Sequence, residues 1–247
     1  MTAESRGTPV PVPDDDSAGG TGPLTAVVVV GATGFVGSRL VRHLGDAGFG
    51  VVVCGRTRLE RFADRAAYPE VIAALDAGAV TGEASPHAVA VALDDLARTH
   101  RLVGVVASIG GWSIADRLEE VPADTWAGFL DSHLTSHLRA VQRLAPRLPD
   151  GAAYVVLNGA ASHTPMAGSG PVSVTGAALH MLVEVLRLES APGGVRYREV
   201  VVEHAVAGDE RNVDPDREVS ARAVGEAVVA ALAPGSEAVV RVGATPA

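Results

Sequence analysis

The chain has 247 residues, 47% hydrophobic and only 4% aromatic, with a formal net charge of −9. A hydrophobic share of that size supplies an ample core for one α/β unit. The negative charge argues against broad binding to nucleic acid or anionic membrane. All 20 basic residues are arginine, so any mechanism that needs a lysine ammonium is excluded before spacing is considered.

Residues 1–23 combine Pro9, Pro11, Pro13, Asp14, Asp15, Asp16 and several glycines without an apolar period. They are expected to form a disordered tail ahead of a single folded unit over 24–247. No hydrophobic segment of a signal peptide is visible, and no apolar run approaches the roughly 20 residues that span a bilayer. The lone Cys54 has no partner within the chain. A reducing cytoplasm is therefore the expected location.

Val27-Val28-Val29-Val30 reads as a strand buried on both faces, as in a parallel sheet. Gly31, Ala32, Thr33, Gly34, Phe35, Val36 and Gly37 follow, and then Leu40, Val41 and Leu44 recur at helical spacing. A strand, a glycine turn and a helix set backbone amides and a helix N-terminus against a pyrophosphate. The second strand, over 50–54, ends in Gly55 and Arg56. Dinucleotide sites selective for NAD place an acid near this strand end, where it holds ribose hydroxyls. Here Arg56 and Arg58 stand instead, and an arginine binds a 2′-phosphate that a carboxylate would repel. NADP is the expected cofactor.

A short helix over 69–77 and a weak third strand over 79–81 come next, and Glu83 is placed to meet an adenine amino group. A helix over 86–100 leads to a fourth strand over 102–107, which opens into Ser108, Ile109, Gly110, Gly111 and Trp112. A glycine turn at a strand's carboxyl end lies where open α/β sheets bind ligands. The period of Phe129, Leu130, Leu134, Leu138 and Val141 predicts a long helix over 123–148 with one face buried. A fifth strand over 152–157 precedes the polar stretch from Asn158 to His163. A helix over 173–189, strands over 195–202 and 238–242, and a helix over 216–232 complete the chain. Seven strands alternating with six helices give one doubly wound parallel sheet of Rossmann type with helices on both faces.

This order of parts resembles the short-chain dehydrogenase/reductase family over residues 25–243. The turn from Gly31 to Gly37 is similar to the family's nucleotide-binding turn, in the spacing of its extended and atypical members. Val80-Thr81-Gly82-Glu83 resembles the segment whose acid meets the adenine. Ala107-Ser108-Ile109-Gly110 stands where the family has Asn-Asn-Ala-Gly beneath the cofactor ribose. Val206 matches the position whose backbone often meets the carboxamide.

The resemblance implies a Tyr as proton donor, a Lys four residues later, a Ser thirteen before the Tyr, and an Asn on the long helix. Aligning Gly176-Ala177-Ala178-Leu179 with the start of the family's helix puts Gly176 at the Lys position, Val172 at the Tyr position and Gly159 at the Ser position. His133 falls close to the Asn position. The polar groups left on the substrate side are His163, which can exchange a proton near neutral pH, Ser162 to orient it or hold a carbonyl, and Asn158 to donate to an oxyanion. His133 is the second candidate. His133 and His137 also stand one turn apart, but without a third ligand no metal site is expected.

Three readings follow. The first is an NADP(H)-dependent oxidoreductase acting on a small molecule without the Tyr–Lys pair. The second is a non-redox enzyme on the same fold, such as an isomerase, dehydratase or cyclase. The third is a catalytically silent NADP-binding partner or sensor. The first is preferred because the glycine turn and Arg56 are intact. The resemblance also implies pairing of the helices near 123 and 173 across a two-fold axis, in a homodimer or homotetramer.

Overall fold

A computed structural model describes residues 24–64, 66–82, 85, 87–114, 117–212 and 216–243. The tail expected over 1–23 and the adenine contact expected of Glu83 both lie outside these residues. The described chain forms a seven-stranded sheet in the order β3-β2-β1-β4-β5-β6-β7. The strands are β1 (Leu24–Val30), β2 (Gly50–Gly55), β3 (Val71–Asp76), β4 (His100–Ala107), β5 (Ala153–Gly159), β6 (Arg196–Val202) and β7 (Val239–Val242), all paired in parallel. Strand order reverses between β1 and β4, and the crevice at such a switch point is where a doubly wound sheet takes its ligand.

Helices cover both faces, which is why the central strands read as unbroken apolar runs. Val27 and Val29 share one core with Leu40, Val41 and Leu44 of α1 (Phe35–Asp46) and Val224 and Val228 of α7 (Ala221–Leu232). Ala26, Val28 and Val30 face the other core. That core takes Val89 and Leu93 of α3 (His87–Leu96), Val141 and Leu144 of α5 (Ser136–Leu144), and Leu179 and Val183 of α6 (Gly170–Glu189). Each fully buried valine contributes roughly 1.5–3 kcal/mol relative to exposure. By length and composition α6 alone among the described helices resembles a membrane span. It lies against the sheet with Leu179 and Val183 in the core.

The region after β2 departs from the sequence reading. Residues 71–76, expected within a helix, are the edge strand β3, and the strand expected over 79–81 is replaced by the short helix α2 (Ala77–Val80). Asp76 explains the switch. Its Oδ1 accepts the Ala79 amide at 3.0 Å, capping α2 at the point where β3 ends. Val71 and Ile72 favour the strand through their β-branched side chains, while the following alanines carry no period.

The long helix is also divided. α4 (Ala123–Leu130) and α5 are joined by a π turn over Asp131–Thr135. No residue of α4 is buried, whereas α5 buries Ser136, His137, Ala140, Val141 and Leu144. π turns recur at functional sites, and this one sets Ser132 and His133 beside the β4 turn.

Candidate functional site

The cleft forms where β1, β2 and β4 end together. Gly31 and Ala32 donate their amides to Cys54 O at 2.9 Å, and Ser108 donates its amide to Val30 O at 2.9 Å. Gly31 has φ +84°, and a Cβ there would stand 2.0 Å from Ser108 O. A Cβ on Gly37 would stand 2.1 Å from Gly31 O. Both positions therefore admit only glycine, and the backbone is drawn tight around the crevice. Gly34 caps α1 with no side-chain bond, and the first turn of α1 holds no acidic residue. Its free amide end and helix dipole favour an anion.

A cleft of about 260 Å³ opens over this turn, lined by Gly31, Thr33, Gly34, Arg56, Ser108 and Gly110 among others. Arg56 is exposed on its rim, directly after the last residue of β2. Arg58 sits in the left-handed region at φ 60° and precedes the 3₁₀ turn Leu59–Phe62, whose Arg61 amide bonds to Arg58 O. Phe35 and Val36 form the first turn of α1, with the Arg39 guanidinium 3.7 Å from the Phe35 ring centroid. Cys54 lies sealed behind the cleft, and burial pushes its thiol up to about 12. It is therefore an inert core residue.

Ala107 is fully buried at the end of β4, and Ile109 and Gly110 follow on the cleft. The π turn is tied to this edge by two histidines. His133 bonds through Nε2 to Gly111 O at 2.8 Å and through Nδ1 to Ser132 Oγ at 2.8 Å. His137 is wholly buried and bonds through Nε2 to Ile109 O at 3.3 Å, with Nδ1 unpartnered. Burial lowers its pKa to about 4. The two rings serve different carbonyls, so the arrangement is not that of a metal pair. After β6, Val206 is buried and bridged to Val219, and Arg211 donates to Trp112 O at 2.9 Å.

The residues after β5 form a second group. Asn158 donates to Gly176 O at 3.0 Å and to Glu199 Oε1 at 2.8 Å, and its Oδ1 accepts the Gly159 amide at 3.0 Å. Ser162 Oγ donates to Gly159 O at 2.6 Å. His163 Nε2 is sealed from solvent and lies 3.6 Å from Glu199 Oε1. Asn158, Ser162 and His163 are thus brought together, while His133 stands apart at the β4 turn.

The sequence reading missed three contributors. Glu199 is a fully buried acid in the middle of β6, and a lone glutamate in the run Tyr197-Arg198-Glu199-Val200-Val201-Val202 was the available signal. His180 reaches Glu199 from α6 at 2.6 Å. Asp76 is the carboxylate that closes β3 beside the cleft residue Ala77.

No curated protein matches the sequence. Among solved structures, the chain is similar to serine dehydrogenase from Escherichia coli, at 17% identity and TM-score 0.73, covering 89% of this chain and 97% of that one. It is similar to a short chain dehydrogenase from Burkholderia cenocepacia J2315 in complex with NADP, at 20% identity and TM-score 0.73, covering 88% and 96%. A third is an NADPH-bound short chain oxidoreductase from Pseudomonas aeruginosa PAO1 described as containing an atypical catalytic center, at 21% identity and TM-score 0.72, covering 89% and 95%. At these identities the likeness is one of fold. The short chain dehydrogenase pattern matches residues 25–205, nearly the whole span from β1 past β6, and the chain belongs to the short chain dehydrogenase family.

Proposed function

We propose that the protein is an NADP(H)-dependent oxidoreductase acting on a small molecule without the family's Tyr–Lys pair. The observation that carries this reading is the cleft itself: a turn with no room for a Cβ at Gly31 or Gly37, a helix N-terminus without a side-chain cap, and Arg56 on the rim. Such a cradle fits a pyrophosphate, with Gly31, Thr33, Gly34, Phe35, Val36 and Gly37 around it and Arg56 toward the 2′-phosphate. Asp76, which ends β3 next to the cleft residue Ala77, is a further acid for the adenine side, alongside the Glu83 expected there. Ala107, Ser108, Ile109, Gly110 and Val206 are the residues that would hold the ribose and nicotinamide. When bound, the dinucleotide supplies the hydride.

The departure from the usual chemistry is supported at Gly176. A Cβ there would meet Ser162 Cβ at 3.0 Å and Asn158 Oδ1 at 3.2 Å, so the packing is built around a missing side chain. Asn158 and Ser162 spend their hydrogen bonds on the backbone and on Glu199. We therefore assign them to holding the loop, and the proton to His163, which Glu199 backs. His133 is the second choice, close to the Gly110 turn.

An apolar stripe of Val174, Met181, Val185 and Leu188 stays exposed on α6, and Leu138 of α5 is exposed too. It supports the assembly of a homodimer or homotetramer through these helices. Calorimetric titration with NADPH and NADH tests the reading. NADPH binding tighter than NADH is the expected result, followed by consumption of NADPH with an acceptor carbonyl. Binding of neither nucleotide would overturn it.

A further inference from the structure

Three side chains outside the glycine turn converge between β6 and α6, among them the His163 to which the proton is assigned. Glu199 pairs in register with Val156 of β5 and is fully buried. His180, one turn beyond Gly176, brings Nδ1 to 2.6 Å from Glu199 Oε2. His163, which closes the 3₁₀ turn after β5, brings Nε2 to 3.6 Å from Oε1. The two imidazoles touch edge to face, with centroids 4.5 Å apart and planes at 62°. One nitrogen of each ring and a carboxylate oxygen lie within 4.8 Å of one another.

A carboxylate without solvent contact is costly unless positive charge meets it. Among the described residues, the hydrogen bonds to Glu199 come from the neutral Asn158 amide and from His180. Protons on both rings would repel at this contact distance. A single proton on His180 leaves the buried Nε2 of His163 without a hydrogen bond, since 3.6 Å is too long for one. A divalent cation held by all three groups satisfies the carboxylate and both nitrogens together.

We propose that His163, His180 and Glu199 form a binding site for a divalent transition-metal ion of the zinc class. Two imidazole nitrogens and one carboxylate oxygen are donors that suit Zn²⁺ or Co²⁺, whereas Mg²⁺ and Ca²⁺ take oxygen ligands. Zinc–nitrogen and zinc–oxygen bonds of about 2.0–2.2 Å put the ligand atoms of a tetrahedral site about 3.4 Å apart. The 3.6 Å between His163 Nε2 and Glu199 Oε1 is close to that spacing already. The third donor, His180 Nδ1, now bonds to Glu199 Oε2 at 2.6 Å and would turn from that bond to the ion. The Asn158 amide fixes the rotation of the carboxylate, as outer hydrogen bonds do at metal sites. The His163 and His180 side chains are 19% and 27% exposed, so the cluster lies just beneath the surface. Three protein ligands leave one position for water or for an anionic group of a substrate.

The site goes beyond the nucleotide reading and does not depend on it, because none of its residues belongs to the glycine turn. Its test is metal binding without NADP(H). The chelator-treated full-length protein is titrated with Zn²⁺ by calorimetry and with Co²⁺ by the visible absorption of a low-coordinate ion. The expected result is one equivalent per chain, with affinity falling at least about tenfold in Glu199→Gln and in His180→Gln, and by about 10- to 100-fold in Asn158→Ala. His87→Gln, at an exposed histidine, should bind as the parent does, and Mg²⁺ should not compete. Circular dichroism checks each fold. If Glu199→Gln fails to fold, His180→Gln, at a partly exposed ring, carries the comparison. Binding no tighter than in the triple variant His163→Gln, His180→Gln, Glu199→Gln overturns the site, or in His180→Gln alone should the triple variant not fold. Loss of NADPH binding with metal binding intact would sink the nucleotide reading alone.

Discussion

Replacing Arg56 by alanine isolates the term proposed to set the cofactor preference. The guanidinium stands on the cleft rim immediately after Gly55, exposed to solvent. Two unit charges about 4 Å apart attract by about 1 kcal/mol in bulk water and about 4 kcal/mol at the effective dielectric near a protein surface. Ordering the arginine side chain subtracts on the order of 1–2 kcal/mol. The net worth of a hydrogen bond to a charged group is then about 1.5–3 kcal/mol, or roughly 10- to 150-fold in Kd. Arg56→Ala should therefore weaken NADPH by that factor and leave NADH almost unchanged. Because Arg56 is exposed, the difference should shrink as salt rises. Arg58→Ala should matter less, because Arg58 is turned into the left-handed conformation ahead of the 3₁₀ turn. Calorimetry with both nucleotides at two salt concentrations reads all of this. Equal affinity of the parent for NADPH and NADH, or an unchanged ratio in Arg56→Ala, would refute the assignment.

The remaining predictions concern turnover, pH and assembly. His163→Ala should lower turnover by about 10²- to 10⁴-fold with NADPH affinity retained; if both His163→Ala and His133→Ala keep the parent rate, neither ring handles the proton. His137 has its pKa lowered by burial from 6.5 to about 4 in the folded state, so the unfolded chain binds the extra proton between those values. Its contribution is complete above about pH 6.5 and is lost as the pH falls toward 4, a drop of about 2 kcal/mol between pH 7 and pH 5. Denaturant unfolding at the two pH values should show that extra drop in the parent and not in His137→Gln; equal slopes would dismiss it. Light scattering should report a dimer or tetramer at micromolar concentration, and Met181→Arg on the exposed α6 stripe should shift it toward monomer. A monomeric parent would count against the assembly.

The central strands were legible because sheets covered on both faces demand continuous apolar runs, and the valines of β1 and β2 supply them. The glycine turn was legible for a similar reason, since Gly31 and Gly37 are positions where a Cβ has no space. At the sheet edge the signal fades. β3 has one neighbouring strand, its alanines favour neither period, and Asp76 marks a boundary only once it is seen to cap Ala79. The polar stretch after β5 was visible as a set of candidates, but its partners were not. Glu199 stands 36 residues beyond His163 and His180 lies on α6, and only the pairing of β5 with β6 brings them under one helix. Long-range pairing of that kind leaves no local period to read.

The π turn between α4 and α5 also constrains how this chain can change in length. Removing one residue from Asp131–Thr135 would let the two helices run on as a single regular α-helix, a locally comfortable outcome. Each residue of an α-helix advances the face by about 100° and the axis by about 1.5 Å. The deletion would therefore swing the whole of α4 around its axis, turning Trp126 and Phe129 away from where they now lie, while α5 stayed anchored by its buried side. Surface loops absorb single deletions because nothing downstream depends on their phase. Here five residues in the middle of a helix act as a phase-setting joint, so substitutions within the turn should be tolerated where a one-residue deletion is not.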